Sequence, residues 1–303
     1  DSRSYNRVKL TLPAAGKKRK RFQMSNKQPF IEVNVLLPGG KVQPLAGGRS
    51  LLEISEEVSS FYPSPVVAAL VDNKLNELAS VIEEPVLIKF LDLTAMEGVR
   101  IYRRSLTFLL ITAVHELFPE AVVKDEHSLG KGLYCEIEKS PELTEEDVAA
   151  VEKKMWQLVN RDLPIKKRRA TLPEAAQVFS RQRFDDKVYL LKFWVKDYLS
   201  LYSINNLEDT LYGYHVPRTG LLQRFALKYY RPGLILRFPE KHDPFTIPPF
   251  IEQPKLFGIF REAEKWGDIL GFDTVGAMNS LIKEGQGLEM IRIAEALHEK
   301  KIA

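Results

Sequence analysis

Seven consecutive residues, Glu126-His127-Ser128-Leu129-Gly130-Lys131-Gly132, bring together an imidazole, a hydroxyl, an ammonium and two glycines. A polar, glycine-bounded loop of that kind can carry backbone amides and a lysine to an anion. A tight turn at the entry to a strand uses the same residue types. Tyr212-Gly213-Tyr214-His215-Val216-Pro217-Arg218 is the second stretch with chemistry in it. His215 can act as acid, base or ligand, or sit as a satisfied hydrogen-bonding group. Tyr134, Tyr212 and Tyr214 offer ring faces that either stack on a base or belong to a core. His127, Ser128, Lys131, Tyr134, His215 and Arg218 are therefore candidate ligand-binding residues, and no residue is assigned a catalytic role. Cys135 is the only cysteine, which excludes an internal disulfide framework and an all-cysteine zinc cage. The pattern G-x-x-x-x-G-K-S/T is absent, and Gly285-Gln286-Gly287 alone reads as a helix break.

These groups sit in a chain of 303 residues, long enough for two globular units. Its 45% hydrophobic and 28% charged content is that of an ordinary folded, water-soluble protein. The net charge of +4 is concentrated in two runs, Lys17 to Arg21 and Lys166 to Arg169. Such runs lie on solvated faces or on nucleic-acid contacts. The longest apolar stretch, Leu106 to Val114, is about half of what a bilayer requires, so no membrane contact is expected. One cysteine fits a reducing, cytoplasmic setting. Residues 1–29 are read as a disordered or leader tail, with Met24 as the start, because Asp1 to Gln23 lack the apolar core of a signal peptide.

The elements that must position the chemistry follow from periodicity. Phe30 to Leu36 alternates apolar and polar, Pro38-Gly39-Gly40 turns, and Lys41 to Leu45 returns. Ser50 and Glu53 form a capping box ahead of a short amphipathic helix. Val66 to Leu78 is a strand broken at Asp72-Asn73, and Val86 to Leu93 a buried strand. Glu97 to Pro119 has helical spacing with mostly apolar positions, Leu129 to Ile137 reads as a strand, Thr144 caps a further helix, and another begins near Leu172-Pro173. After Pro239 three short amphipathic helices are expected at 256–269, 274–283 and 289–300.

The first of these segments, with order β-β-α-β-β, resembles a TGS domain, the β-grasp unit named for threonyl-tRNA synthetases, GTPases and stringent-response enzymes. EGVRIYRRSLTFLLITAVHELFP at 97–119, GKGLYCEI, LTEEDVAAVEKKM and YGYHVP resemble the second additional domain of threonyl- and alanyl-tRNA synthetases, over about residues 97–220. In that family H-x-x-x-H on the helix and a later C-x-x-x-H form a metal-binding or deacylation site that removes the wrong amino acid from tRNA. The resemblance places Arg104, Phe108, Leu211 and His215 at those four positions. Arginine in its charged form ligates no cation, and phenylalanine and leucine have no lone pair, so no metal site is expected. Arg104 instead suits a phosphate or carboxylate guest, or pairs with a carboxylate such as Glu126.

PRTGLL at 217–222, YYRPGLILRFP at 229–239 and the helices that follow resemble bacterial uridine-kinase-like nucleoside kinases. The expected organisation is α+β: a tail at 1–29, a TGS-like β-grasp domain at 30–93, a synthetase-editing-like domain at 94–245, and a helical linker at 246–303 toward a phosphate-loop kinase domain outside this chain. That resemblance implies a non-catalytic recognition region, cofactor-free itself, with ATP and Mg belonging to the kinase domain. The partners implied are that domain, a nucleotide or tRNA acceptor end, and a second copy in a homodimer. Alternative readings are an aminoacyl-tRNA deacylase, a tRNA-binding module, and a docking scaffold.

Overall fold

The computed structural model describes residues 31–271 and 274–302. The expected tail at 1–29 lies outside the described residues, as do the side chains of 125, 126, 301 and 302. The architecture is mixed α+β with several sheets and helices.

Strands β1 (Glu32–Leu36) and β2 (Val42–Ala46) form the expected hairpin. Its turn uses Gly39 and Gly40, both at φ +88, where an L side chain is strained. The short β3 (Arg49–Ser50) leads into α1 (Leu51–Val58). Ser50 and Glu53 close the capping box at both ends, and Leu51, Ile54 and Val58 turn inward. Next come β4 (Ala68–Val71), β5 (Lys74–Asn76), β6 (Val81–Ile82) and β7 (Leu87–Leu91). Asp72 and Asn73 make the β4–β5 turn, both at positive φ. The five-stranded sheet runs β2-β1-β7-β4-β5, with β1 and β7 parallel and the other pairs antiparallel. Val33, Val35, Ile88 and Phe90 alternate onto the face that α1 covers.

Helix α2 (Met96–Leu117) is buried over most of its central turns. It precedes β8 (Val122–Leu129), β9 (Gly132–Glu138) and α3 (Glu145–Asn160), whose Thr144–Asp147 capping box forms. β10 (Lys166–Thr171), α4 (Leu172–Arg181), α5 (Asp185–Leu190), β11 (Tyr198–Ile204) and β12 (Leu207–Asp209) make a second layer. β13 (Ala226–Tyr230) and β14 (Gly233–Arg237) complete an antiparallel sheet of order β13-β14-β9-β8. Leu133, Cys135 and Ile137 join Leu234 and Leu236 in the cluster that includes α2 and α3. Tyr134 and Ile235 point to the other face, where Phe250 and Phe257 pack. Three C-terminal helices, α6 (Pro254–Leu270), α7 (Val275–Lys283) and α8 (Gly287–Ile302), follow the expected pattern.

Residues 126–132 do not form a loop. Glu126 to Leu129 continue β8, and Gly130-Lys131, at φ +55 and +65, are the two-residue turn into β9. Two central residues of positive φ match the twist of the flanking strands, so the turn reading holds over the anion loop. The basic run at 166–169 is strand β10, at the edge of the β10-β11-β12 sheet. Among the described residues no helix is long and apolar enough to cross a membrane.

Candidate functional site: a cation–aromatic pocket around His215

Ser105, one turn above Ile101 on α2, fixes the segment that carries His215. Its Oγ donates to the Ile101 carbonyl at 2.8 Å and accepts the Val216 N–H at 3.0 Å. With that proton committed, the His215 Nδ1, 3.4 Å from Oγ, is the donor of the pair, and Nε2 carries the lone pair. Nε2 is buried without a hydrogen-bond partner. The ring lies against Tyr202 at 4.3 Å and Phe108 at 5.7 Å between centroids. Burial, reinforced by the positive charges of Arg104 and Lys167, pushes the imidazole down to a pKa of about 3. His215 is therefore neutral at pH 7.

Three cationic and phenolic groups surround it. Arg104 is half-buried, and its Nη1 donates to the Tyr214 carbonyl at 3.1 Å. Desolvation and the neighbouring Arg103 depress its pKa. Among the described residues no carboxylate forms an ion pair with it, and the Glu126 side chain expected as a partner lies outside them. Lys167, on the edge strand, reaches across β11 to Glu77 Oε2 at 2.9 Å and stands 5.2 and 4.9 Å over the Tyr202 and Tyr214 rings. Cross-strand pairing of Lys167 with Tyr202 puts both on one face of the ribbon. The Tyr202 hydroxyl makes a short hydrogen bond to Glu77 Oε1 and lies 3.1 Å from the Gly213 carbonyl. Its pKa is raised, first by burial and then by the Glu77 carboxylate.

Gly213 lies directly against the Arg104 guanidinium. Its φ is +102, and a Cβ there would come 2.5 Å from the Arg104 Cζ. Gly213→Ala is expected to lose about 1–3 kcal/mol of stability from the backbone conformation. It should also displace the guanidinium. Urea unfolding checks the first effect, and a loss below about 0.5 kcal/mol would show that the loop relaxes freely.

Of the positions compared with the synthetase motif, Phe108 is fully buried and packs on His215, Leu211 is half-buried against the same core, and Arg104 lies beneath Gly213. Among the described residues no group of three or more His, Cys, Asp or Glu side chains could hold a metal ion. One imidazole among an arginine, a phenylalanine and a leucine is a donor set that does not fit a metal.

The other expected residues fall elsewhere. His127 sits on the far face of the four-stranded sheet, under Phe260 at 3.8 Å and beside Tyr134 at 5.2 Å. Burial lowers its pKa. Ser128 is exposed on β8, and Lys131 pairs with Glu240 at 3.0 Å. Arg218 bridges Asp162 at 3.2 Å and Glu56 at 3.6 Å beside a cleft of about 640 Å³ walled by Trp156, Asn160 and Gln223. Of the seven, Arg104 and His215 come together here, where Tyr214 joins them, and His127 and Tyr134 come together on the far face of the four-stranded sheet. Ser105, Lys167, Tyr202 and Glu77 were missed. The period-2 pairing of Lys167 and Arg169 inside the basic run was the available signal for one of them.

The fold and this cluster define a mixed α+β protein with a cation–aromatic site. No protein-family profile matches the chain. Curated relatives do. A threonine–tRNA ligase from Geobacter sp. strain M21 is 30% identical over 196 residues, 65% of this chain and 31% of the ligase. One from Teredinibacter turnerae is 31% identical over 194 residues, 64% of this chain and 30% of the ligase. One from Francisella tularensis subsp. novicida is 27% identical over 195 residues, covering 64% and 31%. The chain thus spans under a third of the length of these relatives. Over that span it is similar to threonine–tRNA ligases, and these matches overturn the expected uridine-kinase-like parent. The nucleoside-kinase regulatory reading falls with that parent. The expected kinase-domain partner, with its ATP and Mg, rested on that parent alone.

Proposed function

We propose that this chain is an editing-type module of a threonyl-tRNA-synthetase-related protein, and that it holds the acceptor end of an aminoacyl-tRNA at the Arg104–Lys167–His215 pocket. The first sheet, with central parallel β1 and β7 crossed by α1, is read as a TGS-like β-grasp unit joined to that module. The observation that carries the reading is the convergence on His215 of two cations and two tyrosine rings. A polyanionic strand with flat bases needs that combination of charge and stacking surface.

The test is a fluorescence-anisotropy titration of tRNA with the chain at several salt concentrations. Arg104→Glu with Lys167→Glu is expected to weaken binding at least about tenfold and to flatten the salt dependence. Binding no tighter than to heparin at equal charge, or unchanged by the double substitution, would reject the assignment.

The unpartnered Nε2 lone pair of His215 favours a second reading, ester hydrolysis with His215 as the base. A base works best with a pKa near the operating pH, and a pKa of about 3 makes this imidazole a weak one. Incubation with mischarged tRNA is expected to give no hydrolysis above background. A rate abolished by His215→Ala would instead establish the second reading.

A further inference from the structure

Strand β10 carries its cations on two faces, and they are not answered alike. Arg168 shares the face of Ala170, whose methyl joins Leu199 and Leu201 in the core under α4, and Glu208 holds its guanidinium at 2.6 Å. Lys167, Arg169 and Thr171 alternate onto the opposite face, across the ladder from Tyr202, Ser200 and Tyr198. There Lys167 is paired with Glu77, but Arg169 forms no ion pair among the described residues. Its exposed guanidinium lies instead over the Tyr198 ring, 4.7 Å from the centroid. Tyr198 is itself 39% exposed. The Trp194 indole donates to the Tyr198 carbonyl at 3.0 Å and so fixes a second exposed ring at the start of β11. Lys196, between the two aromatics in the chain, is exposed and also without an ion pair among the described residues.

A guanidinium laid on a tyrosine ring is a platform with two uses. Its outer plane takes a flat base, and its edge N–H groups take a phosphate. An acidic peptide would use the charge and leave the rings idle, whereas a single-stranded nucleic acid uses both. The platform shares its face with Lys167 and Tyr202 and lies two strand residues, about 6.6 Å, along β10 from them. We propose that Arg169 and Tyr198 hold the unpaired nucleotide next to the tRNA terminus, its base stacked on the pair and its phosphate on Arg169. This extends, and rests on, the reading that the Arg104–Lys167–His215 cluster takes the tRNA end, and it turns that site into a track along the β10–β11 face. Every base has a π-face, so the contact selects an unpaired strand rather than a particular base.

Fluorescence anisotropy of the whole chain with two probes, an intact tRNA and the same tRNA trimmed of its unpaired 3′ end, tests this. Tyr198→Ala is expected to weaken the intact probe at least about fivefold, and Tyr198→Phe, which keeps the ring, to stay within about twofold of the unsubstituted protein. Arg169→Gln should weaken it too and flatten the slope of log affinity against log salt by about 0.7, the share of one single-strand phosphate. The trimmed probe should bind all four proteins equally weakly. Unchanged affinity for intact tRNA in Tyr198→Ala and Arg169→Gln, with a loss in Arg104→Glu plus Lys167→Glu, would overturn the inference and leave the tRNA-end reading standing. Equal losses in Tyr198→Ala and Tyr198→Phe would also overturn it, since the ring would then not be the contact. So would an equal loss on both probes, which would place the paired stem on this face, or displacement of tRNA by polyglutamate as readily as by single-stranded RNA of equal charge. No binding of intact tRNA by the unsubstituted protein would reject the reading beneath and the inference with it.

Discussion

Lys187→Met is expected to remove about 3–5 kcal/mol of unfolding free energy at neutral pH, because it strands a buried carboxylate. Asp209 at the end of β12 is fully buried, and Lys187 on α5 reaches both its oxygens, at 2.5 and 2.6 Å. The Thr210 N–H adds a bond at 2.7 Å. Even so, burial outweighs the lysine and raises the Asp209 pKa. A carboxyl with a raised folded pKa contributes stability that is full below its unfolded pKa of about 3.9 and is lost as pH rises through the folded value. Without Lys187 that pKa rises further. The deficit of the variant should therefore be small near pH 4 and grow toward pH 7.5. Urea unfolding across that range measures it. The double variant Lys187→Met with Asp209→Leu should recover most of the loss, since replacing both partners leaves no uncompensated charge. A loss under about 1 kcal/mol at pH 7.5 would mean that water or another cation reaches Asp209 when Lys187 is gone.

The position of that pair explains why it matters for the site. Asp209 precedes Thr210 and Leu211, the start of the segment that carries Gly213, Tyr214 and His215. α5 thus anchors one end of the pocket loop, and Ser105 anchors the other by accepting the Val216 N–H.

Neither anchor was legible in the sequence, and the reason is physical. The capping box at Ser50, the cap at Thr144, the helix start at Leu172-Pro173, the turns at Gly39-Gly40 and Asp72-Asn73, and the helical spacing of α2 are local, and local signals survive in a single sequence. Strand β10 hid because an edge strand with only Ala170 buried shows no apolar alternation, and its lysines and arginines read as a solvated run. Arg104 came into view only through the synthetase resemblance, whereas His215 stood out as the histidine of the Tyr212–Arg218 stretch. The contacts that build their pocket join residues far apart in the chain: Glu77 with Lys167 and Tyr202, Ser105 with His215. Nearness in sequence misled in the opposite direction at His127, Ser128 and Lys131. The β8–β9 hairpin sends these neighbours to a covered aromatic cluster, to solvent and to an ion pair with Glu240.

Acid should weaken the protein through His215 before its carboxylates are fully titrated. The imidazole is held neutral, with a pKa of about 3, whereas in the unfolded chain it takes a proton near pH 6.5. Its contribution is present above about pH 6.5 and is lost as pH falls toward the folded value, because the unfolded state binds the extra proton throughout that window. The full linkage is on the order of 5 kcal/mol, with a slope of up to about 1.4 kcal/mol per pH unit. His215→Gln keeps a polar group against Ser105 but does not titrate. Unfolding free energies measured from pH 7 to pH 4 should fall more steeply for the unsubstituted protein than for this variant, by up to that slope. Parallel profiles would show that the imidazole reaches water or shares a proton in the folded state.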